Sequence, residues 1–238
     1  IRLALVGMAP LPLKLKKEFE KRFGFMIFEN YAMSETTFLS TNIPALEFRA
    51  GSAGKILPNV TIEIQNDGGD VISEDKIEGH VVAKTPYMML GYVDAPQEDL
   101  DNLVVDASGI VGMRTGDLGY VDAAELFITG RAKDLIIRGG LNISPAEIEA
   151  AIIEMDDVTQ AAVVGVPHPI YGEEVVAAVT LRSGSELSER DIIKAMDVKL
   201  ANFQKPKKIL ILQEMPKGVT LKIDKKKVRG LFELLSKE

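Results

Sequence analysis

Arg114-Thr115-Gly116-Asp117-Leu118-Gly119-Tyr120, then Thr129-Gly130-Arg131-Ala132-Lys133-Asp134, then Arg138-Gly139-Gly140-Leu141-Asn142-Ile143: these three stretches, in this order, decide how the 238-residue chain reads. Thr-Gly-Asp reads as a tight turn between strands, a geometry that presents the Asp117 carboxylate outward to accept two hydrogen bonds from vicinal hydroxyls. On its own the same tripeptide reads as an Asx turn. Lys133 reads as a solvated cation in an exposed connection, and Gly139 and Gly140 read as turn residues.

Outward from these stretches the chain changes character twice. Residues 1–6 are apolar except for Arg2, as a parallel strand covered on both faces would be. A helix is expected over 12–22, with Leu15 and Phe19 four apart, and a strand over 25–28, giving a strand-helix-strand unit that ends at Tyr31. From Gly51 to Arg131 short strands alternate with Gly, Asp and Pro, at 60–64, 80–85, 119–122 and 126–129, which predicts a small β-barrel or a twisted antiparallel sheet. Beyond Asp134, Ser144 is expected to cap a helix, with Pro145 at its first position, Glu147 completing a capping box and Ile143 stapling to Ile148. Ile148, Ala151, Ile152 and Met155 would share one face of that helix. Ser188 opens a second helix in the same way, with Leu187 and Ile192 as the staple pair. Strands at 161–166, 175–181 and 209–212, and a last helix carrying Val228, Leu231, Phe232 and Leu235, complete a compact α+β unit. The expected domains are 1–131 and 132–238.

Composition narrows the function classes. A net charge of −7 and a pI near 5.1 speak against a general attraction to nucleic acid or anionic lipid, although Lys and Arg cluster at 205–208 and 222–229. With no Cys there is no disulfide framework and no thiolate ligand or nucleophile, which fits a reducing compartment and a cytoplasmic location. Two histidines, His80 and His168, and no Cys argue against a zinc site or a His-based triad. No uncharged apolar run reaches the length of a membrane span, and the first residues lack the layout of a signal peptide. Ile1 already reads as strand, so a segment preceding it is expected.

Together the three stretches resemble the adenylate-forming superfamily of acyl-CoA synthetases, peptide-synthetase adenylation domains and luciferase. The resemblance runs from the turn at Gly7–Pro10 to the last helix. It implies a fold of α/β and α+β type: the end of a large α/β domain plus a small β-barrel, followed by a mobile α+β C-terminal lid. Tyr31-Ala32-Met33-Ser34-Glu35 resembles that family's Tyr-Gly-Met-Thr-Glu motif, which implies that Tyr31 stacks on adenine, that Ser34 contacts the α-phosphate or acyl carboxylate, and that Glu35 helps hold magnesium. Without the resemblance Tyr31 and Glu35 read as packing and solvation. The resemblance assigns Asp117 to the ATP ribose and Arg131 to the ribose or phosphate. It also makes Lys133 the hinge, Gly139 and Gly140 the close approach for a pantetheine arm, and Lys222 the catalytic lysine. The sequence departs from the family at Ala32 and Leu221, where Gly is usual, and at 108–113, which reads Ser-Gly-Ile-Val-Gly-Met.

What this resemblance implies is an ATP-dependent carboxylic acid:CoA ligase, present as a portion without the Gly-rich phosphate-binding loop. ATP/AMP, Mg2+ and coenzyme A would be its cofactors, a small carboxylic acid its substrate, and fatty acid metabolism its setting; a homo-oligomer is left open. Pro145 in Ser144-Pro145-Ala146-Glu147 resembles the CoA ligases rather than the peptide-synthetase domains. A carrier-protein-loading domain and a non-catalytic nucleotide- or partner-binding module are the two alternatives.

Overall fold

A computed structural model describes residues 1–7, 11–44, 48–94 and 97–235; Met8, Ala9 and Pro10 of the expected turn lie outside the described residues. The chain divides into two compact units, Ile1–Ala132 and Lys133–Glu238.

The first unit is built on one sheet. β1 (Leu3–Val6) and β2 (Met26–Met33) run parallel, joined by α1 (Leu13–Phe23), which makes the expected strand-helix-strand unit. Gly24 ends α1 in the left-handed conformation, and Phe19, Phe23 and Phe25 cluster where helix meets strand. After β2 the pairing turns antiparallel through β3 (Thr37–Thr41), β4 (Ser52–Ile56), β5 (Thr61–Gln65), β6 (Gly79–Lys84), the short α2 (Gln97–Leu100), β7 (Leu103–Asp106), β8 (Gly109–Asp122) and β9 (Glu125–Arg131). Their order is β1-β2-β3-β4-β9-β8-β6-β5, with β7 on β8, so the strands that read as a barrel or a twisted sheet continue the sheet begun by β1 and β2. Ile64, Val81 and Leu126, all buried, form the centre of its core.

Two readings change here. Among the described residues β1, expected to be covered on both faces, pairs with β2 alone, and Leu3 and Leu5 are 46% and 60% exposed. The tight turn expected at Thr115-Gly116-Asp117, ahead of the strand at 119–122, is instead part of that strand: β8 runs unbroken through Thr-Gly-Asp, with shifts of register against β6 and β9. A glycine in the left-handed region inserts a bulge without stopping the strand, and Gly116 stands at φ +77°.

The second unit is a sheet covered on both faces. Its elements are β10 (Ile136–Arg138), β11 (Leu141–Ile143), α3 (Pro145–Ile153), β12 (Val158–His168), β13 (Gly172–Leu181), α4 (Glu189–Ala195), β14 (Lys208–Leu212) and α5 (Lys225–Leu235). β12 and β13 pair over nearly their whole length, and successive residues serve opposite faces. Ala161, Val163, Val175, Ala177 and Val179 pack with Ile148 and Ile152 of α3 and Ile192 of α4, whereas Ala162, Val164, Val176 and Ala178 pack with Val228 and Phe232 of α5. Two covered faces explain why these strands read as continuous apolar runs. Ser188 and Asp191 form the full capping box of α4. Ser144 takes the capping position of α3 but its side chain makes no capping bond, and the Glu147 carboxylate accepts instead from Gln204 Nε2 at 2.8 Å.

Candidate functional site

Asp117 sits in the β8 bulge, and the strand places it opposite Arg131 in the ladder with β9. Arg131 Nε donates to Asp117 Oδ1 at 2.9 Å, and the Tyr31 hydroxyl, from β2, donates to Oδ2 at 2.5 Å. Thr115 organises the backbone beneath: its hydroxyl donates to the Val81 carbonyl of β6 at 3.0 Å and accepts the Asp117 N–H at 3.1 Å. The Asp117 side chain retains 13% of its exposure, while Arg131 keeps 46%. Burial and the neighbouring carboxylate push the Tyr31 phenol far above its ordinary value, so it stays protonated and a donor. The structure therefore brings together three of the residues singled out in the sequence, Tyr31, Asp117 and Arg131, and adds Thr115. The local signal for Thr115 is its place two residues before Asp117, where a threonine hydroxyl can accept the i+2 backbone N–H.

Ser34 and Glu35 occupy the turn joining β2 to β3, closed by the Thr36 N–H on the Met33 carbonyl at 3.3 Å. Tyr31 itself lies within β2 and not beyond its end, because a bulge at Tyr31/Ala32 lets β2 pair on with β3. Ser34 is exposed. Glu35 accepts from the Tyr92 hydroxyl at 3.0 Å, and its carbonyl accepts the Met89 N–H at 2.8 Å. Nothing local in the sequence announces Tyr92, which lies 57 residues away along the chain. Among the described residues no group of three His, Cys, Asp or Glu side chains gathers to hold a metal.

In the second unit Gly139 and Gly140 form the two-residue turn of the β10–β11 hairpin at φ +59° and +82°, the conformation of a type I′ turn. A Cβ on Gly140 would meet nothing within 4 Å, so it is backbone conformation that selects glycine there. Beside the turn, Arg138 pairs with Glu174 at 2.6 Å and lies 4.6 Å over the Tyr171 ring, on which the His168 ring stacks at 4.9 Å. Lys222 projects from a tight loop whose ends bridge at Lys217 and Ile223, with the Gly218 N–H on the Lys222 carbonyl at 2.8 Å. Leu221 holds φ +63°, the left-handed conformation that the usual glycine would adopt freely. Behind the loop, Lys225 pairs with Glu149 of α3 at 2.7 Å. Lys133, exposed, lies in a short 3-10 turn, Ala132–Asp134, where one unit ends and the next begins.

Comparison with known proteins agrees across nearly all of the chain. The sequence model of the AMP-binding enzymes matches residues 1–93, and that of the AMP-binding enzyme C-terminal domain matches residues 147–222. The chain belongs to the AMP-binding enzyme family. Among its relatives, the sulfoacetate–CoA ligase of Cupriavidus necator is 34% identical over 96% of this chain and 44% of its own length. The 2-succinylbenzoate–CoA ligase of Bacillus mycoides is 34% identical over 98% and 47%. The ATP-bound MatB of Rhodopseudomonas palustris superposes with a TM-score of 0.86 at 31% identity, covering 96% of this chain and 45% of that one. The amide bond synthetase McbA of Marinactinospora thermotolerans gives 0.87 at 30%, covering 97% and 46%. The chain thus spans about half the length of the relatives it matches.

Tyr31, Ser34, Glu35 and Lys222 fall inside the matched segments, whereas Asp117, Arg131, Lys133, Gly139 and Gly140 lie between them. Among the described residues no helix is long and apolar enough to cross a membrane.

Proposed function

We propose that this chain is the C-terminal portion of an ATP-dependent carboxylic acid:CoA ligase. In that reaction a carboxylate attacks the α-phosphorus of ATP, releasing pyrophosphate and leaving acyl-AMP; a thiol then displaces AMP and gives the thioester. The observation that carries the reading is the Asp117 carboxylate, both of whose oxygens are held by donors from other strands while the group keeps a solvent-facing edge. A fixed, partly exposed carboxylate suits a ribose diol, because it accepts from both hydroxyls without first having to order itself. Arg131, half exposed beside it, can reach either the ribose or a phosphate. The Tyr31 ring offers a face to adenine, and Ser34, exposed in the hairpin turn, a hydroxyl to the α-phosphate or the acyl group.

Both steps build negative charge on phosphoryl or carbonyl oxygen, which calls for cations and not for a strong base. Lys222, exposed on its loop, would supply one. Magnesium fits Glu35 only as a single protein carboxylate, since magnesium keeps several waters and takes its other oxygens from phosphate. When bound it supplies charge neutralisation at the phosphates. Gly139 and Gly140 would let a pantetheine arm run close to the backbone, and Lys133 would be the hinge of a lid comprising residues 132–238. A cytoplasmic location belongs to the same proposal. The relatives' acids, sulfoacetate and 2-succinylbenzoate, share a second acidic group, so the proposal favours a small polar acid over a fatty acid.

The likeness to an amide bond synthetase keeps a second reading in view, in which the acyl acceptor is not CoA. The experiment takes the protein expressed from its complete reading frame and measures acid-dependent ATP–pyrophosphate exchange, followed by acyl transfer to CoA, to an amine and to a phosphopantetheinylated carrier in competition. Exchange with transfer to CoA is expected. Exchange without CoA transfer selects the second reading, and no exchange with any acid removes both. Residues 1–238 alone are expected to give no exchange, because no Gly-rich phosphate loop occurs in their sequence.

A further inference from the structure

The hydroxyl of Tyr31 does something that a stacking ring does not require. It crosses from β2 to the β8 bulge and donates to Asp117 Oδ2 at 2.5 Å, while Arg131 Nε takes Oδ1 at 2.9 Å. A carboxylate offers roughly four acceptor positions, two on each oxygen. With one occupied on each, one remains on each, which is the pattern that meets two adjacent hydroxyls. The two holders are not equal. Arg131 is 46% exposed on a long side chain and has a second contact, Nη2 to the Thr115 carbonyl at 3.5 Å. Tyr31 is half-buried, set in a paired strand, and its phenol oxygen lies against Met33 Sδ at 3.8 Å. Of the two, the phenol has the less freedom to leave. Beneath them the Asp117 N–H is tied through Thr115 to β6, so the backbone is fixed and the χ angles of Asp117 are what the phenol decides.

We propose that the Tyr31 hydroxyl is a positioning residue for nucleotide specificity: by fixing the Asp117 carboxylate it makes the site select a ribose 2′,3′-diol over a deoxyribose. The inference rests on the reading that Asp117 meets the ribose. It predicts that the hydroxyl matters most to ligands that carry both sugar hydroxyls, whereas the ring matters equally to every adenine nucleotide.

The experiment measures binding of AMP, 2′-deoxy-AMP and 3′-deoxy-AMP to the protein expressed from its complete reading frame and to its Tyr31→Phe and Asp117→Ala variants, by ligand-observed NMR. The parent chain is expected to prefer AMP over either deoxy form by about tenfold or more, the value of a hydrogen bond to a charged group. Tyr31→Phe should remove most of that preference, weakening AMP more than either deoxy nucleotide, each of which keeps one hydroxyl for the carboxylate. Asp117→Ala should remove it entirely. Retention of the full preference in Tyr31→Phe, with loss in Asp117→Ala, overturns the inference and leaves the ribose reading standing. No AMP preference in the parent chain, or no AMP binding at all, removes the ribose reading and the inference with it. A ligand-free measurement guards against mere misfolding. In Tyr31→Phe with a native amide spectrum, the Hα–Hβ couplings of Asp117 should change from those of one rotamer to an average, and couplings that stay fixed count against the phenol as the positioning group.

Discussion

Asp117 and Lys222 are two of the charged groups on which the proposed chemistry depends, and the structure holds them in opposite ways. Asp117 lies in the interior of a long strand, its carboxylate gripped by Tyr31 and Arg131 and its amide by Thr115. Lys222 stands exposed on a loop, and among the described residues no hydrogen bond or ion pair reaches its ammonium. The difference extends to the backbone. Where the strand needs a left-handed residue it has Gly116; where the loop needs one it has Leu221. A group that must be ready before the ligand arrives is best fixed, and a cation needed for one step of two is best carried on a part that can withdraw. On the proposed reading the first unit is a preset receptor and the second the bearer of a movable charge.

The largest effect expected from breaking this contrast concerns the units themselves. Ile152 is wholly buried in the second unit. Ile152→Ala should cost that unit about 2–5 kcal/mol. If the units are separate bodies, calorimetry will show the transition of the second unit falling while that of the first stays in place. A single transition that shifts as a whole would mean that the contrast is drawn between parts of one cooperative body.

The backbone comparison predicts opposite signs. Gly116→Ala places a Cβ in ordinary contact, 3.6 Å from Arg131 Nη2, so its cost is conformational, about 1–2 kcal/mol, and it should disturb the Asp117 amide. Leu221→Gly relieves a left-handed leucine but frees the unfolded chain, and should stabilise the second unit by under about 1 kcal/mol. Chemical denaturation of both variants decides it; equal signs would show that the two positive-φ residues are not the contrast described.

The smallest effect is one of pH. Burial pushes Glu149 above its ordinary 4.5, against the pull of Lys225 and of the Val163 N–H. A carboxyl raised on folding favours the native state below its unfolded value and loses that contribution as pH rises through the folded value. Glu149→Gln, which is never charged, should therefore match the parent below about pH 4.5 and become relatively more stable above it. A variant that instead weakens above that pH would show that the Lys225 pair outweighs burial.

Which of these features the sequence announces depends on how local their cause is. The capping box of α4 and the two-faced strands β12 and β13 follow from neighbours and alternation, so they were legible. The Thr-Gly-Asp stretch was legible as chemistry but misread as a turn, because a positive-φ glycine serves a bulge as well as a turn and only the partner strands distinguish them. Ser144 has the sequence of a capping box, yet Gln204, far along the chain, takes the Glu147 carboxylate. Tyr31 on Asp117 spans 86 residues and Tyr92 on Glu35 spans 57, contacts that no spacing rule reports.

The two half-reactions, measured separately in the protein expressed from the complete reading frame, test the proposed roles most directly. Lys222→Ala should slow acyl-AMP formation by about a hundredfold or more, the scale of losing one charge-stabilising group, and leave thioester formation from supplied acyl-AMP unchanged. If Lys222→Ala slows both steps equally, Lys222 is not a cation brought in for one of them, and the contrast between a fixed carboxylate and a movable lysine is contradicted.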